Sequence, residues 1–369
     1  MVGIMLYSLL SFILIISIIV FVHEFGHYYV AKKCGVKIEQ FSIGFGKEIL
    51  GFNDKSGTRW KFCQIPLGGY VKMFGDKKPS PTHNNKIKIF TEAEEVVSFY
   101  FQNVYKKIAI VLAGPVANFI LAIFLLTAIF KISGIQQTLP IISNVVDSSP
   151  AKIAGMLPND EILKINDKEI NSFKNIITLI SIYGHKKLSF TIKRDNKVIT
   201  IDVLPKIKER KDIFNNVVKT PYIGINADKI TKEELDIFSS FHIATIKTYE
   251  VSINILAVLY QFATGQKDVK ELGGPLKIAK YSGQSMNMGF MMTIYFIAII
   301  SINLGVINLL PIPTLDGGHL FFYIIEVIRG RPLPEKLKDY SFRFGMILIL
   351  MVMGFTIFND IFSIFINKL

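Results

Sequence analysis

The stretch that most restricts how this chain can fold lies at its start. From Met5 to Val22 there is no charge, and only Tyr7, Ser8, Ser11 and Ser17 interrupt the apolar side chains. A run of this length reads as a transmembrane helix. It leads without a break into Phe21-Val22-His23-Glu24-Phe25-Gly26-His27. On a helix, positions i and i+4 share a face, so His23 and His27 can offer their imidazoles to one metal ion. Glu24, offset by one residue, can reach a water on that metal without being a ligand, which is the arrangement of a zinc hydrolase with an open coordination position.

The same residues have a plainer reading. H-E-x-x-H fixes only three positions, and histidines at a helix end can be interfacial anchors. Ionisable groups at membrane depth are costly, however, and are functional by default. The metal reading therefore takes precedence and calls for a third ligand elsewhere. If the helix continues to Ala31 or Lys32, His27 lies on the order of 7 Å inside the Lys32–Lys33 pair. The site would then be within the membrane near one face, and the lysines mark that face as cytoplasmic.

Half of the 369 residues are hydrophobic, which suits several spans joined to soluble parts. The net charge of +13 is expected to come from lysines beside the membrane that meet anionic lipid, since no nucleic-acid-binding motif is present. Cys34 and Cys63 are too few for a disulfide framework and lack C-x-x-C spacing. The N-terminus has neither a basic n-region nor a small-residue cleavage site, so the first span is expected to be retained.

The expected fold is a polytopic α-helical membrane protein with about four transmembrane helices, membrane-associated β-hairpins and one inserted α+β domain. Residues 1–32 form the first transmembrane helix. Residues 33–103 are a cytoplasmic, membrane-associated β region with strands at Val36–Ile38, Phe41–Gly46 and Arg59–Ile65, followed by Pro66-Leu67-Gly68-Gly69-Tyr70-Val71-Lys72-Met73. An exposed strand edge there could pair with an unwound substrate, although a plain turn and strand also fits. A polar loop over 76–95 leads to an amphipathic helix. The second span, within 104–131, contains Gly114-Pro115-Val116-Ala117-Asn118. Asn118 reads equally as packing glue between helices or as a hydrogen-bond donor to substrate. Residues 135–226 alternate short strands and turns as a soluble domain would, with helices from Ser149-Pro150 and over Phe173–Ile182. Residues 227–286 are read as amphipathic surface helices, because Lys247 and Glu250 interrupt the apolar run 243–262, and Gly273-Gly274-Pro275 breaks the chain after it.

The third span, within 287–320, is uncharged until it meets Asn308-Leu309-Leu310-Pro311-Ile312-Pro313-Thr314-Leu315-Asp316-Gly317-Gly318-His319. Asp316 is the candidate third ligand. His319 is its rival, and an Asp before Gly is ordinarily a turn residue. Spans one and three cross in the same direction, and each carries its candidate ligands at its C-terminal end, so His23, His27 and Asp316 fall at one membrane face. A span at 243–262 would put Asp316 on the wrong side. A basic cytoplasmic loop over 321–343 (Arg329, Arg331, Lys336, Lys338, Arg343) and a fourth span over 344–369, with Asp360 near its far end, complete the layout.

Taken together, H-E-F-G-H at 23–27, F-S-I-G-F-G at 41–46, I-P-L-G-G-Y-V-K-M at 65–73, A-G-P-V-A-N-F at 113–119, G-G-P at 273–275 and N-L-L-P-I-P-T-L-D-G-G-H at 308–319 resemble, in order, the site-2 protease family of intramembrane zinc metalloproteases. The resemblance is nearest to the bacterial regulator-of-sigma-E protease branch. The stretch 149–167 resembles a PDZ domain of the kind attached to bacterial proteases. The resemblance implies that His23, His27 and Asp316 bind Zn2+ and that Glu24 is the catalytic base. It implies that Asn118, Asn308 and the hairpin residues Gly68, Gly69 and Tyr70 meet the substrate or transition state. The implied substrates are single-pass membrane proteins, such as anti-sigma factors already trimmed outside, and remnant signal peptides. The implied setting is the lipid bilayer of the bacterial inner membrane, with the PDZ domain on the periplasmic side. Familiar members carry two tandem PDZ domains, whereas 135–226 has room for one. The competing readings are a membrane-anchored zinc protease acting outside the bilayer, which would usually take a Glu as third ligand, and a non-enzymatic PDZ scaffold.

Overall fold

The computed structural model describes residues 2–76, 90–183, 186–211, 217–265 and 273–366. The chain divides into two units, one of Met1–Ile129 with Ile237–Leu369 and one of Phe130–Asp236.

In the first unit, α1 (Val2–Lys33) is one unbroken helix that carries the apolar run through the histidine motif to the lysine pair. β1 (Ile38–Asn53) and β2 (Arg59–Met73) follow. The sequence predicts shorter strands separated by glycines. The observed strands instead run through them, because Gly44, Gly46 and Gly68 adopt positive φ and turn the backbone without ending the pairing. Residues 40–43 of β1 consequently have partners on both sides, Arg59–Phe62 on one and Gly69–Lys72 on the other. Among the described residues, 69–73 pair only with β1 and form an edge. The turn between the strands is tied to α1: Asp54 accepts from Tyr28 Oη (3.0 Å), Trp60 Nε1 (3.2 Å) and the amides of Ser56 and Thr58. Burial acts to raise the Asp54 carboxyl, but these donors outweigh it and hold the group well below the usual carboxylate range.

The predicted polar loop lies mostly outside the described residues. The helix after it is α2 (Glu92–Val97), started by a capping box between Thr91 and Glu94. α3 (Val104–Ser133) carries Pro115 in its interior. The second unit supplies β3 (Ile135–Thr138), β4 (Asn144–Val145), α4 (Pro150–Ile153), β5 (Glu161–Ile165), β6 (Lys168–Glu169), α5 (Phe173–Tyr183), β7 (Leu188–Arg194), β8 (Lys197–Val203), β9 (Lys206–Lys211), β10 (Val217–Tyr222), β11 (Ile225–Asn226) and β12 (Ile230–Glu233). Its main sheet has the order β6-β5-β7-β8. Alternate residues of β7 (Leu188, Phe190, Ile192) face a core shared with Ile162, Met156 and Ile176. Asp160, whose side chain is 1% exposed, is paired by both Nε and Nη2 of Arg194 at 2.7 Å, the fork geometry that makes such a buried pair tolerable.

The chain returns to the first unit with α6 (Ile237–Ala263), α7 (Pro275–Asn287), α8 (Phe290–Asn308), α9 (Asp316–Arg329) and α10 (Glu335–Ile366). The segment 321–343, expected as a loop, is largely helical. α9 presents an apolar face between Asp316 at its start and a left-handed Gly330 at its end, and α10 begins as early as Glu335. Among the described residues, five helices (α1, α3, α6, α8 and α10) are long and apolar enough to cross a membrane.

Four sets of contacts tie these helices together. Ile15 and Ile19 of α1 pack with Ile297 of α8 and Leu125 of α3. His23 meets Asn308 of α8 and Asn118 of α3. α8 therefore runs in the direction of α1, and α3 runs against it. At the other end of α1, Ser8 packs on Gly283 of α7. Asp360 of α10, fully buried, accepts from the backbone amides of Gly274 (3.0 Å), Leu276 (3.1 Å) and Lys277 (3.1 Å) at the start of α7. The Gly-Gly-Pro break is thus the place where a carboxylate from another helix caps a new one.

Candidate metal centre

His23 and His27 lie one turn apart on α1 and are 7% and 8% exposed. Asp316 reaches them from the first turn of α9, after the chain has left α8 through the Pro311–Pro313 segment. The three donor atoms face one another: His23 Nε2 is 3.1 Å from Asp316 Oδ2, His27 Nε2 is 3.5 Å from it, and the two Nε2 atoms are 3.3 Å apart. Among the described residues this is the group of His, Cys, Asp and Glu side chains able to hold a metal ion. Donors about 2.0–2.1 Å from a tetrahedral zinc ion are about 3.3 Å from each other, so the triangle has the right size. Asp316 Oδ2 is buried without a well-aligned hydrogen bond, as befits an oxygen aimed at a cation rather than at a donor. Two imidazoles and one carboxylate form a donor set that zinc accepts, as do several other divalent ions.

α3 forms the back wall. Ile110, Gly114 and Asn118 are spaced i, i+4, i+8 and so line one face. His27 Nδ1 donates to the Ile110 carbonyl at 2.8 Å, which leaves the Nε2 lone pair free for a metal. Pro115 has no N–H to offer the Val111 carbonyl, which neighbours the Ile110 carbonyl that His27 uses. At Gly114 there is no room for a side chain: a Cβ would collide with the His27 ring and lie 2.8 Å from His23 Cε1. Asn118 is completely buried, and its Nδ2 lies 3.2 Å from His23 Nδ1. Asn308 approaches the opposite edge of the same ring, its Nδ2 3.2 Å from His23 Nε2.

The edge strand forms the front. A Cβ on Gly69 would lie 2.9 Å from Glu24 Cγ and 3.0 Å from Val20 Cγ1, so only glycine lets the strand lie against the motif helix here. The Glu24 carboxylate takes a hydrogen bond from the Val71 amide and is electrostatically coupled to His27, His23 and Asp316. Of the other two hairpin residues singled out in the sequence, Gly68 packs against the Phe45 ring. Tyr70 stacks on that ring (6.1 Å) and donates to Gln40 Oε1 at 3.2 Å. His319 is not part of the triangle. Its ring lies against that of Phe342, with centroids 4.9 Å apart and planes tilted by 42°. Sequence reading gave no role to the Ile110 carbonyl or the Val71 amide. Both are backbone groups, and only the spacing of 110, 114 and 118 hinted at the first.

Comparison with known proteins agrees with this chemistry. The family model described as "Peptidase family M50" matches residues 11–352. Proteins from Mesorhizobium japonicum (37% identical over 362 residues, 96% of this chain and 99% of the relative) and Rickettsia conorii (39% over 363 residues, 97% and 99%) are each named "Putative zinc metalloprotease". Metalloprotease MmpA of Caulobacter vibrioides is 34% identical over 381 residues, covering 96% of each chain. Among solved structures, the PDZ domain of an SdrC-like protein from Listeria monocytogenes is similar over 24% of this chain and 84% of that one, at 23% identity and a TM-score of 0.19. With the family model matching nearly the whole length, the chain belongs to peptidase family M50, the site-2 protease family of metalloproteases.

Proposed function

We propose that this protein is an intramembrane zinc endopeptidase that cuts single-pass membrane proteins within their transmembrane segments. The observation that carries the reading is the convergence of His23, His27 and Asp316 on one point, with Glu24 beside them, at the end of an apolar helix. His23, His27 and Asp316 would hold the ion, which when bound supplies a Lewis acid for the scissile carbonyl and lowers the pKa of a water toward neutrality. Glu24 takes the proton from the attacking water and delivers it to the leaving amine. The Val71 amide and Gly69 keep that carboxylate in place. The Asn308 amide, next to the ligand atom of His23, is in position to donate to charge developing on the substrate oxygen. A transmembrane helix hides its peptide bonds, so the substrate unwinds and lies as a strand along 69–73, where β2 has a free edge.

The direction of the helices supports a four-span layout with the metal near the cytoplasmic face. α1 and α8 run the same way, so an odd number of crossings separates them. α3 provides one. α7 has 13 residues, about 20 Å, which is too short to cross. A full crossing by α6 would therefore make the number even, which favours a surface or partial position for it despite its length. By the same layout, residues 130–236 form a periplasmic PDZ domain of an inner-membrane protein and exclude substrates with bulky outer domains. The substrates are then trimmed anti-sigma-like proteins and remnant signal peptides.

Removing zinc from the purified protein with a chelator should abolish cleavage of a truncated single-pass reporter, and added Zn2+ should restore it. Undiminished cleavage after the metal is shown to be gone would overturn the proposal.

A further inference from the structure

His27 and His23 are both presented to the metal point through Nε2, but their far sides differ. His27 Nδ1 has a carbonyl, which can only accept, so the ring proton must sit on Nδ1 and Nε2 is left bare. His23 Nδ1 has the Asn118 amide, which can do either. In the arrangement seen, Asn118 Nδ2 faces Nδ1, and Asn118 Oδ1 is buried with no hydrogen-bond partner. Asn308 Nδ2 lies 3.2 Å from the other ring nitrogen, Nε2, and a neutral imidazole accepts at one nitrogen only, so the amide whose oxygen is orphaned is the one to be turned. Turning the amide over exchanges the two groups. Oδ1 then accepts from His23 Nδ1–H, the orphaned oxygen gains its partner, and Nε2 is freed.

We propose that Asn118 is a positioning residue that selects the metal-binding tautomer of His23, its amide oxygen accepting from Nδ1–H. This rests on the metal reading given above and replaces, for Asn118, the substrate contact that the family resemblance implies. Complete burial behind the ring fits a residue that acts through His23 rather than on substrate. The backbone is held to match: Ser301 Oγ of α8 donates to the Asn118 carbonyl at 2.9 Å, fixing this turn of α3 between the two helices that flank the site.

The test is zinc affinity, measured by chelator competition on the full-length protein in detergent, for wild type, Asn118→Leu, Asn118→Asp and Asp316→Ala. Leucine keeps the volume and removes the acceptor, and is expected to weaken zinc binding about 10–100-fold, the usual cost of losing a partner behind a metal-bound histidine. Aspartate can only accept, and is expected to hold zinc at least as tightly as wild type once folded. A purely structural role predicts the reverse order, since a buried carboxylate disrupts packing more than leucine does. Wild-type affinity in a folded Asn118→Leu protein, or lost affinity in a folded Asn118→Asp protein, would overturn the inference; the second variant decides if the first does not fold. Absence of zinc from the wild type itself would instead remove the metal reading, and Asp316→Ala shows the signal of a broken site.

Discussion

At Gly114 the spacing between α1 and α3 is set by two histidine rings rather than by packing of aliphatic side chains. A methyl group there has nowhere to go, because its neighbours are fixed by a helix on one side and by the metal point on the other. Gly114→Ala is therefore expected to lower zinc affinity tenfold or more while leaving the helices formed, measured by chelator competition beside circular dichroism. Retention of zinc at wild-type affinity would show that α1 can retreat. The residue identities of the candidate site were legible in the sequence because His23, Glu24 and His27 share a helix whose period is known, and Asp316 stands at a helix break followed by glycines. What holds them was not legible. The Ile110 carbonyl and the Val71 amide have no side-chain signature, and the contact of Gly69 with Glu24 depends on how two distant segments pack.

At the scale of elements, the membrane unit is tied together by polar groups where apolar packing alone would let helices slide. Asp360 shows this best. It lies in the apolar α10, yet it is fully buried because it satisfies three amides at the start of α7. Removing it leaves those donors unpaired, at about 1–3 kcal/mol for a buried orphan. Asp360→Ala is expected to cost about 2–4 kcal/mol of unfolding free energy in mixed micelles. Zinc stoichiometry should be unchanged, since α7 packs at Ser8, 15 residues from His23 along α1, about 22 Å. A neutral stability effect would mean that water takes over the cap. The sequence marked Asp360 and Gly273-Gly274-Pro275 as separate oddities, and their pairing across 86 residues is a tertiary fact that no local pattern carries. The hairpin teaches a similar lesson. Gly46 reads as the end of a short strand and Gly68 as part of a turn, but positive φ at 44, 46 and 68 lets long strands bend, and residues 40–43 keep partners on both sides.

At the scale of the whole molecule, the first unit holds the candidate chemistry and the second, Phe130–Asp236, has its own core. The inserted domain was legible from its alternating strands: β5, β7, β8 and α5 fall close to where the pattern puts them. Length and composition left α6 ambiguous, and only the shared direction of α1 and α8 bears on it. If the insert gates access, deleting 136–226 should allow cleavage of a single-pass substrate that still carries its outer domain, at a rate near that of the trimmed form. Unchanged selectivity would remove the gating role and leave the protease reading intact.

The central claim is that Glu24 and the metal triangle hydrolyse a peptide bond inside the membrane. The most direct measurement is cleavage of a trimmed single-pass reporter in membranes by wild type and by Glu24→Gln, with the product termini mapped by mass spectrometry. Product from the wild type alone, cut within the reporter's apolar segment, is the predicted result. Equal product from a folded, zinc-bound Glu24→Gln protein, or a cut outside the apolar segment, would contradict it.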